Sequence, residues 1–240
     1  MGEIQVPEDA LWGPQTQRAL QNFPISGLNM PLAFVRSLGL IKQAAALANH
    51  DLGLLDESSA AAIADAAAKV ASGEVDDQFP VDIFQTGSGT SSNMNANEVI
   101  ANMATRDSGI EVHPNDHVNM GQSSNDVVPS AIQVAATMLA RQELIPSLRH
   151  LAETIDIKAE EMEDVVKTGR THLMDAMPVT FGQELGCWSQ QVRSNIKRIR
   201  SAIKRTRQLP LGGSAVGTGI NAHPEFGSRV VAALEQLTSV

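Results

Sequence analysis

PLAFVRSLGLIKQAAALANHDLG, residues 31–53, decides the fold class. A proline stands near its start and a glycine at its end. Between them Val35, Leu38, Ile41, Ala45, Ala48 and Leu52 recur at steps of three and four. Those steps line apolar side chains along one stripe of an α-helix, and Pro and Gly are residues that start and stop one. The same signals continue outward. Asp56 can cap a helix over ESSAAAIADAAAKVAS that stops at Gly73. A third helix is expected from near Ser91 through NMNANEVIANMATRD to Gly109. DDQFPVDIFQ lies between them and reads as extended or turn, because Pro80 biases Phe79 away from the helical region. IEVHPNDHVNMGQSS, residues 110–124, is too polar and turn-rich for a long element.

Three longer helical stretches follow. One, about 126–142, carries Val127, Ala131, Val134 and Met138. The next, about 147–166, carries Leu148, Leu151, Ile155, Ala159, Met162 and Val166. The last, about 181–208, carries Phe181, Leu185, Trp188, Val192, Ile196, Ile199 and Ile203. Each is expected to bury one stripe in a bundle. The fold class is therefore mainly α. A small N-terminal helical domain with little β, residues 1–121, precedes a long-helix bundle, residues 122–240. PEFGSRVVAALEQLTSV begins one more helix and stops, so the bundle looks truncated.

Composition agrees. Of 240 residues, 42% are hydrophobic, only 3% are aromatic and none is tyrosine. An Ala-rich, aromatic-poor core suits closely packed helices better than sheets. The net charge of −9 argues against nucleic acid as a partner. The one dense basic run, KRIRSAIKRTR (197–207), reads as a solvated helix face. The single cysteine, Cys187, allows no internal disulfide, which fits a reducing compartment; beside Trp188 it is expected to be an inert core thiol. No apolar run is long enough to span a membrane, and the N-terminus lacks the apolar core of a signal peptide and an Arg-rich presequence. A cytoplasmic location is expected.

Three polar stretches exceed what apolar packing explains: TGSGTSSNMN (86–95), GQSSND (121–126) and GRTH (169–172). Each is expected just before or between long helices, where free N–H groups and small hydroxyls or amides make an anion site without lysine. One capping side chain is enough for a helix, and these stretches offer several. GSGTSS lacks the Gly-Lys-Ser/Thr ending of a phosphate loop, and LPLGGSAVGTG (209–219) follows a helix rather than a strand, so it reads as a tight ordered loop. His113 and His117 in HPNDH have a zinc-compatible spacing, but Pro114 and Asn115-Asp116 favour a turn and no third ligand is evident, so no metal is expected. The residues alone describe a helical protein with small-polar anion cradles and one histidine beside one of them. They do not name a reaction.

The chain resembles class II fumarases of the fumarase/aspartase superfamily. The resemblance is carried by PEDALWGPQTQRALQNFPISG, GSGTSSNMNANEVIANMA, HPNDHVNMGQSSND, GRTHLMDAMPVTFGQE and LGGSAVGTGINAHPEF. His172, QSSND and NFPIS favour fumarase over the similar aspartases, which usually have Gln at the position of His172 and QSTND. The resemblance implies reversible hydration of fumarate to (S)-malate through an aci-carboxylate carbanion, with no metal or organic cofactor. It assigns Ser88, Gly89, Thr90, Ser123, Ser124, Asn125 and Thr171 to substrate binding and His172 to acid/base work on the hydroxyl side. It assigns His113, Asn115 and Asp116 to a second carboxylate site outside the catalytic one. Glu98 and Asn102 receive no role. A homotetramer with active sites shared between subunits is also implied.

One departure limits this reading. The family's flexible loop GSSxMPxKxNP, with the serine usually assigned as C3 base, does not occur in these residues. As written, the chain is expected to lack half of the catalytic groups and to turn over no substrate alone. An ammonia-lyase acting on aspartate and a non-catalytic member of the superfamily stand as alternatives.

Overall fold

A computed structural model of the chain describes residues 2–239. The elements run α1 (Pro14–Asn22), α2 (Leu32–Asp51), α3 (Glu57–Ser72), α4 (Thr90–Ser108), α5 (Ser124–Leu139), α6 (Ile145–Glu161), β1 (Val166–Thr171), β2 (Met174–Thr180), α7 (Phe181–Thr206) and α8 (Phe226–Thr238). The chain is mainly α, as its periodicity predicts. No helix among the described residues is long and apolar enough to cross a membrane.

Two compact units divide the chain: Met1–Ala136 with Gln208–Val240, and Thr137–Arg207. In the first, α2 is the central helix, packed against α3, α4 and α8. Its expected stripe is the core: Val35, Leu38, Ile41, Ala45 and Ala48 are buried with Ile63 and Val70 of α3, Val99 and Met103 of α4, and Phe226 and Val230 of α8. Gly39 sets the α2–α3 spacing. A Cβ there would lie 2.6 Å from the Ala71 backbone nitrogen, so the helices approach as closely as backbone allows. The capping signals also hold. The Asp56 carboxylate accepts the Ser59 N–H at 2.9 Å, and Gly73 closes α3 in the left-handed region at φ 87°.

Helix α1 has no capping side chain of its own and no acidic residue in its first turn. Glu98 of α4, buried, supplies one. Its carboxylate accepts the backbone N–H groups of Gly13 at 3.0 Å, Gln15 at 2.8 Å and Thr16 at 2.9 Å. Asn102, one turn on, donates to the Leu11 carbonyl at 2.8 Å. Both side chains, assigned no role from sequence, fasten the N-terminal segment. Asp82 does similar work for the preceding loop by accepting the N–H groups of Ser26, Gly27 and Phe84. Burial acts to raise its pKa, but these hydrogen bonds outweigh it and hold the carboxyl at about 2.

The second unit is a helical hairpin, α6 against α7, with the β1–β2 ribbon joining them. The expected stretches at 126–142 and 147–166 are α5 and α6, joined by a wide helical turn, Ala140–Leu144. Three expectations are corrected. Helix α6 ends at Glu161, and Val166 belongs to an exposed strand. The covered faces of α6 and α7 bury small Ala152, Gly182 and Ser189 together with Ile145 and Ile196, the last as expected, while Leu151 and Trp188 stay exposed. Gly182 explains the close packing, since a Cβ there would meet the Ala159 carbonyl oxygen at 2.7 Å. Cys187 is exposed, not a core thiol, because Gly182 and Ser189 define the face of α7 that is covered. The basic run 197–207 lies on the solvated side, as expected.

Candidate active site

Two helix starts meet in the first unit. Gly89, at φ 69°, is the N-cap of α4, and a Cβ on it would strike Val128 of α5 at 2.9 Å. Glycine is thus required twice at this position, for the backbone angle and for the close approach. From the α4 start, the Ser88 Oγ and Thr90 Oγ1 atoms lie 2.7 Å apart. Thr90 Oγ1 in turn lies 2.9 Å from Ser124 Oγ, at the first residue of α5. A chain of three exposed hydroxyls therefore joins the positive ends of two helices. Its hydroxyls can turn their hydrogens toward an incoming anion, and the helix ends favour negative charge there.

The α5 start is braced from below. Asp126, buried, accepts the Ser123 N–H at 2.9 Å through one oxygen. Through the other it accepts Gly212 N–H at 3.1 Å and Ser214 N–H at 2.8 Å. The Asn125 amide donates to the Ala215 carbonyl at 2.9 Å. The glycine-rich stretch 209–219 is a tight loop as expected, with Gly217 and Gly219 N–H both donating to the Gly213 carbonyl. Its role is to hold the QSSND segment. Ser123 is itself occupied, its hydroxyl accepting the Asn125 N–H at 3.2 Å.

GRTH lies between two long helices, α6 and α7, as expected, but on a strand ribbon that the sequence does not announce. It ends β1, and Thr171 pairs with Met174 across the ribbon. His172 and Leu173 form the two-residue tip, with φ 45° and 62°, fully in the second unit and exposed. Positive φ at both central residues is the mark of a tight hairpin turn, where Asn-Gly is the usual pair. His-Leu carries no such signal, so the hairpin was not legible. The structure thus brings together Ser88, Gly89, Thr90, Ser123, Ser124 and Asn125, and carries Thr171 and His172 on the other compact unit.

Asn115 and Asp116 lie on a wide helical turn, Pro114–Val118, and His113 caps its start. The His113 Nδ1 accepts the Asp116 N–H at 3.2 Å, and the His117 Nδ1 accepts the His113 N–H at 3.0 Å. Both imidazoles thus spend a ring nitrogen on the turn. Among the described residues no group of three or more His, Cys, Asp or Glu side chains is placed to hold a metal ion.

Sequence reasoning missed Lys42, which is fully buried beneath this segment with its Nζ 3.0 Å from Asn119 Oδ1 and 2.8 Å from Gln122 Oε1. The signal was present: Lys42 falls four residues after Leu38 and three before Ala45, on the apolar stripe itself.

The chain is 58% identical over its whole length to a class II fumarate hydratase of Xylella fastidiosa (strain Temecula1), of which it covers 51%. It is 55% identical to one of Corynebacterium glutamicum, covering 50% of that protein. Among solved structures, the class II fumarase of Schistosoma mansoni superposes with a TM-score of 0.95 at 41% identity, over 99% of this chain and 51% of that one. The chain spans about half the length of the curated relatives it matches. A model of the lyase family matches residues 2–240, the two helix starts and the hairpin included, and the chain belongs to that family.

Proposed function

We propose that the chain forms part of a fumarate hydratase, catalysing the reversible addition of water to fumarate to give (S)-malate. The observation that carries this reading is the hydroxyl chain of Ser88, Thr90 and Ser124 across two helix N-termini. Removal of the C3 proton of malate places extra negative charge on the adjacent carboxylate as an aci-carboxylate. Preorganised donors at a helix end stabilise such charge, and no lysine is needed beside them. Ser88, Gly89, Thr90, Ser123, Ser124, Asn125 and Thr171 bind substrate in this reading. His172, exposed at its hairpin tip, acts as acid/base toward the departing hydroxyl, a role suited to an imidazole near neutral pH. His113, Asn115 and Asp116 form a second carboxylate site.

The rest of the reading concerns the whole protein. The names of the relatives support fumarate as substrate and its hydration as the reaction; malate as product, a place in the tricarboxylic acid cycle and a cytoplasmic location belong to the proposal. The division at residue 121 into an N-terminal lyase domain and a central bundle, and assembly as a homotetramer, belong to it as well. Exposed Leu151 and Ile157 on α6 and Trp188 on α7 support assembly, since they leave large apolar side chains uncovered on the single chain.

The site is tested by substitution in a complete polypeptide, carrying these residues and the remainder of the relatives' length. Thr90→Val and Ser124→Ala are each expected to raise the KM for fumarate by about tenfold or more, the cost of one lost hydrogen bond to a charged group. Thermal unfolding should be unchanged. An unaltered KM in both variants would remove the hydroxyl chain from the binding site.

A further inference from the structure

Lys42 is fully buried, and among the described residues no ion pair within salt-bridge distance involves it. Burying an unpaired ammonium costs several kcal/mol, and a methionine would fill the same space without that cost. Burial pushes its pKa down to about 7, against the upward pull of the Asp126 charge. Such a group calls for an explanation other than packing.

Its contacts supply one. Nζ donates to the side-chain oxygens of Asn119 and Gln122. Gln122 spends its own amide hydrogens on the Val118 and Met120 carbonyls, at 3.0 and 3.2 Å. Asn119 donates to the Gln122 carbonyl at 3.3 Å, and Asn93 of α4 donates to Asn119 Oδ1 at 3.2 Å. Every one of these bonds ends on residues 118–122, immediately before the Ser123-Ser124-Asn125 segment. Asp126 grips the other side through Ser123. The segment is held at both ends by buried charges reaching it from α2 and from α5.

We propose that Lys42 is a positioning residue for the dicarboxylate site, fixing Ser123, Ser124 and Asn125 through Asn119 and Gln122. This rests on the reading of the site given above. Lys42 touches no substrate. It orders the backbone whose first helical hydroxyl, Ser124, completes the chain with Thr90.

Amide hydrogen exchange of the 240-residue chain tests the positioning, and kinetics of the complete polypeptide test its consequence. Lys42→Met is expected to speed exchange about tenfold or more at 118–125 while Ile63–Val70 of α3 keeps its protection. The KM for fumarate should rise by a similar factor, with kcat changed less. Gln122→Met, which keeps the lysine and removes the nearer of its two acceptors, should do the same, and the double variant should add little. Unchanged exchange at 118–125, exchange that rises equally in α3, an unaltered KM, or additive effects would each overturn the proposal. If Lys42→Met does not fold, Gln122→Met decides by the same measurements. Absence of turnover in the unsubstituted complete polypeptide would overturn the hydratase reading instead, leaving the exchange result to judge the positioning alone.

Discussion

His172→Asn in the complete polypeptide is expected to lower kcat for fumarate hydration by about 10²–10⁴-fold, the contribution of a well-placed general acid/base. The hairpin makes the substitution clean. His172 stands at φ 45° with its side chain exposed, so packing does not depend on it. Asparagine accepts left-handed backbone more readily than most residues, and the turn should keep its shape. Leu173 beside it, at φ 62°, bears the greater strain of roughly 1–2 kcal/mol, with no burial to compensate. A strained, exposed tip that presents an imidazole is more readily understood as a device for function than for stability. The check is a steady-state assay beside a thermal melt. Near-normal turnover with an unchanged melt would return His172 to an ordinary surface histidine.

Glu98→Ala is the substitution expected to damage the fold most, by about 3–5 kcal/mol in urea unfolding. Three backbone N–H groups converge on this one carboxylate, and α1 has no other cap. Removing it leaves buried donors unpaired at the positive end of a helix, which is costlier than losing a surface ion pair. Amide exchange should locate the damage, with Gln15 and Thr16 losing protection before α2 does. A loss below about 1 kcal/mol would mean that water replaces the carboxylate without difficulty and that Glu98 is no keystone of the N-terminal segment.

The contrast between these two residues shows what was legible beforehand. Helices α2, α3 and α4 could be read from their stripes and caps because helix periodicity and capping are local. Glu98 sits on such a helix, yet its partners lie more than eighty residues earlier, at separations of 85, 83 and 82, and no local pattern announces them. The hairpin that bears His172 escaped for a different reason. Its turn uses His-Leu where Gly or Asn would have signalled positive φ, so nothing in GRTH marks a strand end, only a polar segment between long helices. Cys187 and Trp188 satisfy the helical pattern expected of a core, but the covered face of α7 runs through Gly182, Ser189 and Ile196 and leaves them exposed. The polar stretches themselves were visible as an excess of hydroxyls over capping needs. That Thr90 and Ser124 would touch, 34 residues apart, required the fold.

The measurement that bears most directly on the account is the ultraviolet absorbance of fumarate, followed with the complete polypeptide in buffer free of ammonia. The absorbance is expected to fall, malate to accumulate, and added ammonia to change nothing. Loss of absorbance only when ammonia is supplied would make the protein an ammonia-lyase. No loss under either condition would leave a helical scaffold that retains the cradle without the chemistry.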